Sequence, residues 1–210
     1  MPPELLELLD YFTPLAGARH DSPGGVVTLL TPETNVLALN AAYLPAGERA
    51  AAEVCSPLVV STHAPAQGEA ALRLETFSPD EARESESVPL VEQVSRLYLP
   101  EWCRVLALSH GTPGWAAWLA LHFARVLEPQ RDYVLLLAYR EGAAVGAGLW
   151  RPSGPTGSAL HLWGVLDTAA RLPLLHAAAR LGDGPLRSSC VVPPEEGQVF
   201  FAQVLEAAQE

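Results

Sequence analysis

The chain predicts an α/β protein, a mixed β-sheet with helices packed across its faces, arranged as two halves. Three observations carry that prediction. The stretch from Tyr133 to Gly182 reads in succession as strand, tight turn, strand, loop, strand and helix. A further strand, Leu186–Val192 (LRSSCVV), follows that helix at once. An acidic stretch, Ser78–Ser87 (SPDEARESES), holds nothing larger than Ala to bury and separates all of this from an N-terminal part with elements of its own. The boundaries predicted are an N-terminal α/β half over 1–78, a linker over 79–87 and a C-terminal half over 88–210. A long surface loop within one domain is the alternative reading of the acidic stretch.

From the N-terminus, Glu4–Phe12 sets Leu5, Leu8, Leu9 and Phe12 on one helical face. Pro23-Gly24-Gly25 is a turn and Val26–Leu30 a strand. Asn35–Tyr43 and Glu48–Cys55 read as helical, broken by Pro45 and Gly47. Leu58–Ser61 and Ala70–Phe77 are strands around a Gln67-Gly68 turn, although Ala, Leu, Arg and Glu give the second an equal claim to be a helix.

Pro89–Leu99 is predicted helical. Thr112-Pro113 opens the strongest helix, with Thr as N-cap and Pro at the first helical position. The spacing puts Trp115, Trp118, Leu119, His122 and Val126 on one core-facing stripe, and Pro129 ends the helix. Tyr133–Arg140 and Ala143–Trp150 form a hairpin across Glu141-Gly142, where Gly can take a positive φ. Arg151–Ser158, built of Pro, Gly, Ser and Thr, is a loop. Ala159–Asp167 is the third strand and Pro173–Leu181 a helix closed by Gly182. By alternation His161, Trp163 and Val165 share one face of that strand, and Leu160, Leu162 and Gly164 the other. After Leu186–Val192 come Pro193-Pro194 and a final helix over Glu195–Gln209, so the C-terminal half runs β-β-β-α-β-α.

Composition removes several function classes. The formal net charge is −11 over 210 residues, which argues against nucleic acid or an anionic membrane as the main partner. Every basic side chain among the 13 counted as Lys and Arg is Arg, so no lysine Schiff base or P-loop lysine exists. Cys55, Cys103 and Cys190 are odd in number and widely spaced, against a disulfide framework or zinc site and in keeping with a reducing compartment. The acidic, amphipathic N-terminus lacks the basic region of a signal peptide, and no apolar run reaches the ~18 residues of a membrane span. The expectation is a soluble, cytoplasmic protein. The six histidines occur singly, without H-x-x-x-H, and there is no G-x-S-x-G or Walker motif.

The order AYREGAAVGAGLW, then ALHLWGVLD, then a helix resembles the core of the GNAT-type N-acetyltransferase superfamily over roughly Tyr133–Phe201. The N-terminal part resembles the degenerate half of tandem members more loosely. The resemblance implies a GNAT-like acyl-CoA N-acyltransferase fold, with acetyl-CoA as cofactor and a small-molecule amine as acceptor. In the family an R/Q-x-x-G-x-G/A loop opens the helix and cradles the pyrophosphate. Arg171 falls on the first position, but Leu174 and His176 stand where glycine, or glycine and alanine, belong. Neither lets the backbone wrap a phosphate closely, and Pro173 removes a donor from the first turn.

Carried onto this chain, the cofactor-binding positions are Trp163, Gly164 and Val165 on the strand, with Arg171, Leu174 and Leu175 at the helix start. The catalytic candidates are His161 and Asp167 as general base. Phe200-Phe201 occupies the neighbourhood of the family's acid tyrosine and has no hydroxyl. Two functions follow: an acyl-CoA-dependent N-acetyltransferase with an eroded pyrophosphate loop, or an inactive GNAT-fold protein acting as a binding or assembly module. Family members add a strand pair after the last helix; its lack here predicts either completion by the N-terminal half or a homodimer.

Overall fold

The computed structural model describes residues 1–45, 58–64, 70–78, 89–154 and 157–203. The predicted linker over 79–87, the helical segment Glu48–Cys55 and the Gln67-Gly68 turn lie outside them. In chain order the regular elements are α1 (Pro3–Phe12), β1 (Ala18–Asp21), β2 (Val27–Leu30), β3 (Ala42–Tyr43), β4 (Leu58–Ser61), β5 (Ala70–Phe77) and β6 (Leu90–Val94). Then follow α2 (Leu99–Ser109), α3 (Ala116–Leu127), β7 (Val134–Arg140), β8 (Ala143–Ser153), β9 (Gly157–Val165), α4 (Arg171–Ala179), β10 (Leu186–Val192) and β11 (Val199–Gln203). The chain forms two compact units, Met1–Leu74 with Cys190–Glu210, and Glu75–Ser189.

In the first unit α1 buries Leu5, Leu8, Leu9 and Phe12, the face that its spacing predicts. The strand order is β1-β2-β3-β4-β11-β5, antiparallel except for the β3–β4 pair. Two expectations fail here for local reasons. Asn35–Tyr43 is not a helix but a 3-10 turn, Leu37–Leu39, followed by β3. Asn40 causes this: its Oδ1 accepts from the Thr31 amide at 2.8 Å and its Nδ2 donates to the Thr34 carbonyl at 2.9 Å, bonds that compete with a helical ladder. The final helix is likewise replaced, within the described residues, by a 3-10 turn at Pro194–Glu196 and by β11. Val199, Phe200, Phe201 and Ala202 are all buried, a continuous apolar run that suits a strand covered on both faces. Over the described residues the C-terminal order is therefore β-β-β-α-β-β.

The second unit has strand order β10-β9-β8-β7-β6, with β9–β10 parallel and the rest antiparallel. The hairpin turn is as predicted: Glu141 (φ 51°) and Gly142 (φ 80°) are both left-handed, as a type I′ turn requires. Pro89–Leu99 is not a helix. Its Leu90–Val94 pairs along β7, and the helix starts only at Leu99, with Pro100 in its first turn, and runs to Ser109. α3 is rotated from its predicted phase. Leu119, His122, Phe123 and Leu127 face the core, whereas Trp118 is 57% exposed. Thr112 makes no capping bond; its hydroxyl donates to the Ala107 carbonyl instead.

Helices α2 and α4 cover opposite faces of this sheet, because adjacent residues of β9 point to each. Gly164 lies against Ser109 and His110 at the end of α2. Trp163 packs with Leu160, Leu174 and Leu175 under α4. Each fully buried leucine in that layer contributes about 1.5–3 kcal/mol relative to exposure. Among the described residues no helix is long and apolar enough to cross a membrane.

Candidate functional site

The candidate site is the end of β9 and the start of α4. β9 carries a bulge: Leu162 faces Leu149 and Ala159 faces Arg151, so Leu160 and His161 together oppose the single Trp150. The extra residue shifts the alternation. Leu160, which simple alternation places opposite Trp163 and Val165, joins them under α4. Pairing with β10 ends at the same point, running only from Leu186↔Ser158 to Ser188↔Leu160.

At the last pair and just past it, side chains add to the backbone bonding. Ser188 Oγ donates to the Leu160 carbonyl at 3.1 Å and Ser189 Oγ to the His161 carbonyl at 3.4 Å. The Trp163 indole N–H donates to the Ser189 carbonyl at 2.7 Å. The Trp163 carbonyl itself lies 3.1 Å from His110 Nε2, an arrangement that makes this nitrogen the donor.

At the helix start Asp167 is a cap. Its Oδ1 accepts from the Ala169 amide at 2.9 Å, and its Oδ2 pairs with the Arg140 guanidinium. The amide bond first, and Arg140 second, hold this carboxyl below the usual aspartate range, so at neutral pH it is a poor proton acceptor. Residues 168–170 form a 3-10 turn that runs directly into α4. Arg171 sits with its guanidinium carbon 6.0 Å from the Trp163 ring centroid and 3.8 Å (Nη2) from Glu75 Oε2.

The remaining candidates are structural in their surroundings. Leu174 is fully buried and Leu175 nearly so, both in the α4 core layer. The His176 ring packs at 5.0 Å from that of Phe77. Val165 lies beside the same layer. A Cβ on Gly164 would fall 2.0 Å from Ser109 Oγ, so this glycine admits α2 to the sheet. His161 is buried on β9 at 7% exposure. Phe200 and Phe201 are core residues of the first unit. Cys103 is buried in α2, its thiol pushed up to about 12, which excludes it as a nucleophile. Among the described residues no cluster of His, Cys, Asp or Glu could hold a metal.

The pyrophosphate of an acyl-CoA does not fit these residues. The helix start already holds a carboxylate on its amide, and Pro173 has no N–H to offer. The partners of Asp167 and Arg171, Arg140 and Glu75, are far away in sequence and carry no local signal. Gly164 in a strand interior does signal a close approach, which sequence reasoning assigned to the cofactor and the fold assigns to α2.

No protein-family model and no curated protein matches the sequence. Solved structures do match. A conserved protein of unknown function from Staphylococcus epidermidis ATCC 12228 aligns with TM-score 0.59 at 11% identity, over 92% of this chain and 98% of that one. A GCN5-related N-acetyltransferase from Kribbella flavida aligns with TM-score 0.54 at 13% identity, over 96% and 95%. At such identities the likeness is one of fold. With the hairpin, the bulged third strand and the strand-to-helix passage in place, this chain has the GNAT fold.

Proposed function

We propose that this protein is a catalytically inactive member of the GNAT fold, acting as a binding or assembly module. One observation carries the reading. The Asp167 carboxylate sits on the amide at the start of α4, braced by Arg140, where a phosphate would need those groups. An incoming pyrophosphate would meet like charge and would have to displace both bonds. Leu174 and His176, committed to packing, supply none of the backbone freedom that glycines give. We read the N-terminal half as an eroded relative of the C-terminal one, and the protein as a cytoplasmic one able to form a homodimer.

The second reading is an acyl-CoA-dependent N-acetyltransferase working on a small amine. The end of β9–β10 backbone pairing at Ser188↔Leu160 favours it, since main-chain hydrogen bonds to an extended ligand take the place of strand pairing. His161 would then be the general base.

Incubation with acetyl-CoA and a panel of small cationic amines, followed by release of free CoA thiol, separates the two. The inactive reading expects no release above buffer hydrolysis. Amine-dependent turnover that His161→Ala abolishes would overturn it.

A further inference from the structure

β1 ends the strand order of the first unit, and every one of its residues is exposed. It pairs on one side with β2, and among the described residues no strand lies on the other. The phase of the ladder shows which backbone groups face that open side. The Ser22 amide donates to the Val26 carbonyl at 2.9 Å, one step beyond the Asp21↔Val27 pair. By the period of two, His20 and Ala18 also turn their amides and carbonyls toward β2, and Arg19 and Asp21 turn theirs outward. The row stops at both ends. Gly17 donates its amide to Thr31 Oγ1 at 2.9 Å, and Pro23 has none to offer. The side chains of Arg19 and Asp21 share one face, and Arg19 Nη2 lies 2.7 Å from Asp21 Oδ1.

We infer that the open edge of β1 is a homodimer contact, two copies pairing antiparallel about a two-fold axis at His20. The occupant is a second copy because this edge is complementary to itself in charge. Centred on His20, the pairing sets Arg19 of each copy opposite Asp21 of the other. Both outward amides and both outward carbonyls of each strand then find partners. Centred on Arg19 or on Asp21 instead, it would oppose like charges. An edge of one sign repels its copies in every register, which is the usual protection of edge strands. An Arg and an Asp two residues apart repel in the neighbouring registers and attract in this one, so the register is fixed. The inference gives the proposed homodimer its surface and rests on the inactive reading for nothing else. So short a strand makes a small interface, and the dimer is a weak one, with a dissociation constant on the order of 100 micromolar. Each copy carries a net charge of −11, but at physiological salt charges more than about 8 Å apart are largely screened. The directly opposed pairs act at contact and keep their attraction.

The test is sedimentation equilibrium at physiological salt, on wild type, Arg19→Asp, Asp21→Arg and the double exchange Arg19→Asp with Asp21→Arg. Protein runs from about 10 micromolar to about 1 millimolar, a range that brackets the expected dissociation constant. Both positions are exposed, and circular dichroism checks that each variant is folded. Wild type is expected to dimerise. Each single reversal opposes like charges and should weaken association at least about tenfold. The double exchange restores opposite charges and should return within about threefold of wild type. An equimolar mixture of the two single variants should associate more tightly than either alone. Wild type that stays monomeric throughout would overturn the contact and the homodimer together, and would leave the inactive reading standing. A dimer formed equally well by all four proteins would overturn the β1 contact and leave the homodimer standing.

Discussion

A Cβ on Gly164 would sit 2.0 Å from Ser109 Oγ and 2.8 Å from Ser109 Cβ. Rotating the serine relieves the first contact but not the second, so Gly164→Ala must push α2 off the sheet and is expected to cost about 1–3 kcal/mol. Combined with Ser109→Gly, the cost should largely disappear; equal costs in both backgrounds, by denaturant unfolding, would show the contact to be unimportant. Asp167 makes a different prediction. Its folded pKa is depressed, so its contribution to stability is complete above the ordinary aspartate value of about 3.9 and is lost as pH falls below that toward the depressed value. Asp167→Asn keeps an acceptor for the Ala169 amide and loses the Arg140 pair. Its melting temperature should therefore lie below that of wild type at pH 7, with the gap closing as pH drops below about 4. A gap that is constant with pH would contradict this.

Elements were legible where local chemistry and packing agree. Glu141-Gly142 could only be a tight turn, and the apolar runs on either side could only pair. The third strand and its helix appear with ends displaced by two residues, because the 3-10 turn at 168–170 leads into the helix earlier than Pro173 suggests. The losses came from long-range effects. β11 reads as a helix by composition and becomes a strand because β4 and β5 flank it. Leu90–Val94 is a strand because β7 offers it an edge. The contacts at the strand-to-helix passage, Arg140 on Asp167 and Ser189 on Trp163, are ones that spacing cannot reveal. α3 gives the sharpest check on the corrected phase: Phe123→Ala should cost about 3–5 kcal/mol, whereas Trp118→Ala should stay within about 0.5 kcal/mol. The reverse order would restore the phase read from sequence.

At the scale of the whole molecule, the passage from the third strand to α4 carries a carboxylate at the helix start and an indole bonded to the Ser189 carbonyl. The net charge of −11 adds a general repulsion toward a polyanionic ligand, screened over about 8 Å at physiological salt. What binds only the folded state raises its stability by mass action, so CoA binding would be visible in both melting temperature and heat of titration. The deciding measurement is a calorimetric titration of the wild-type protein with CoA and acetyl-CoA up to millimolar concentration. The account predicts no saturable heat and no thermal shift. Micromolar binding that weakens on Arg171→Ala would contradict it and return the start of α4 to the role of a pyrophosphate site.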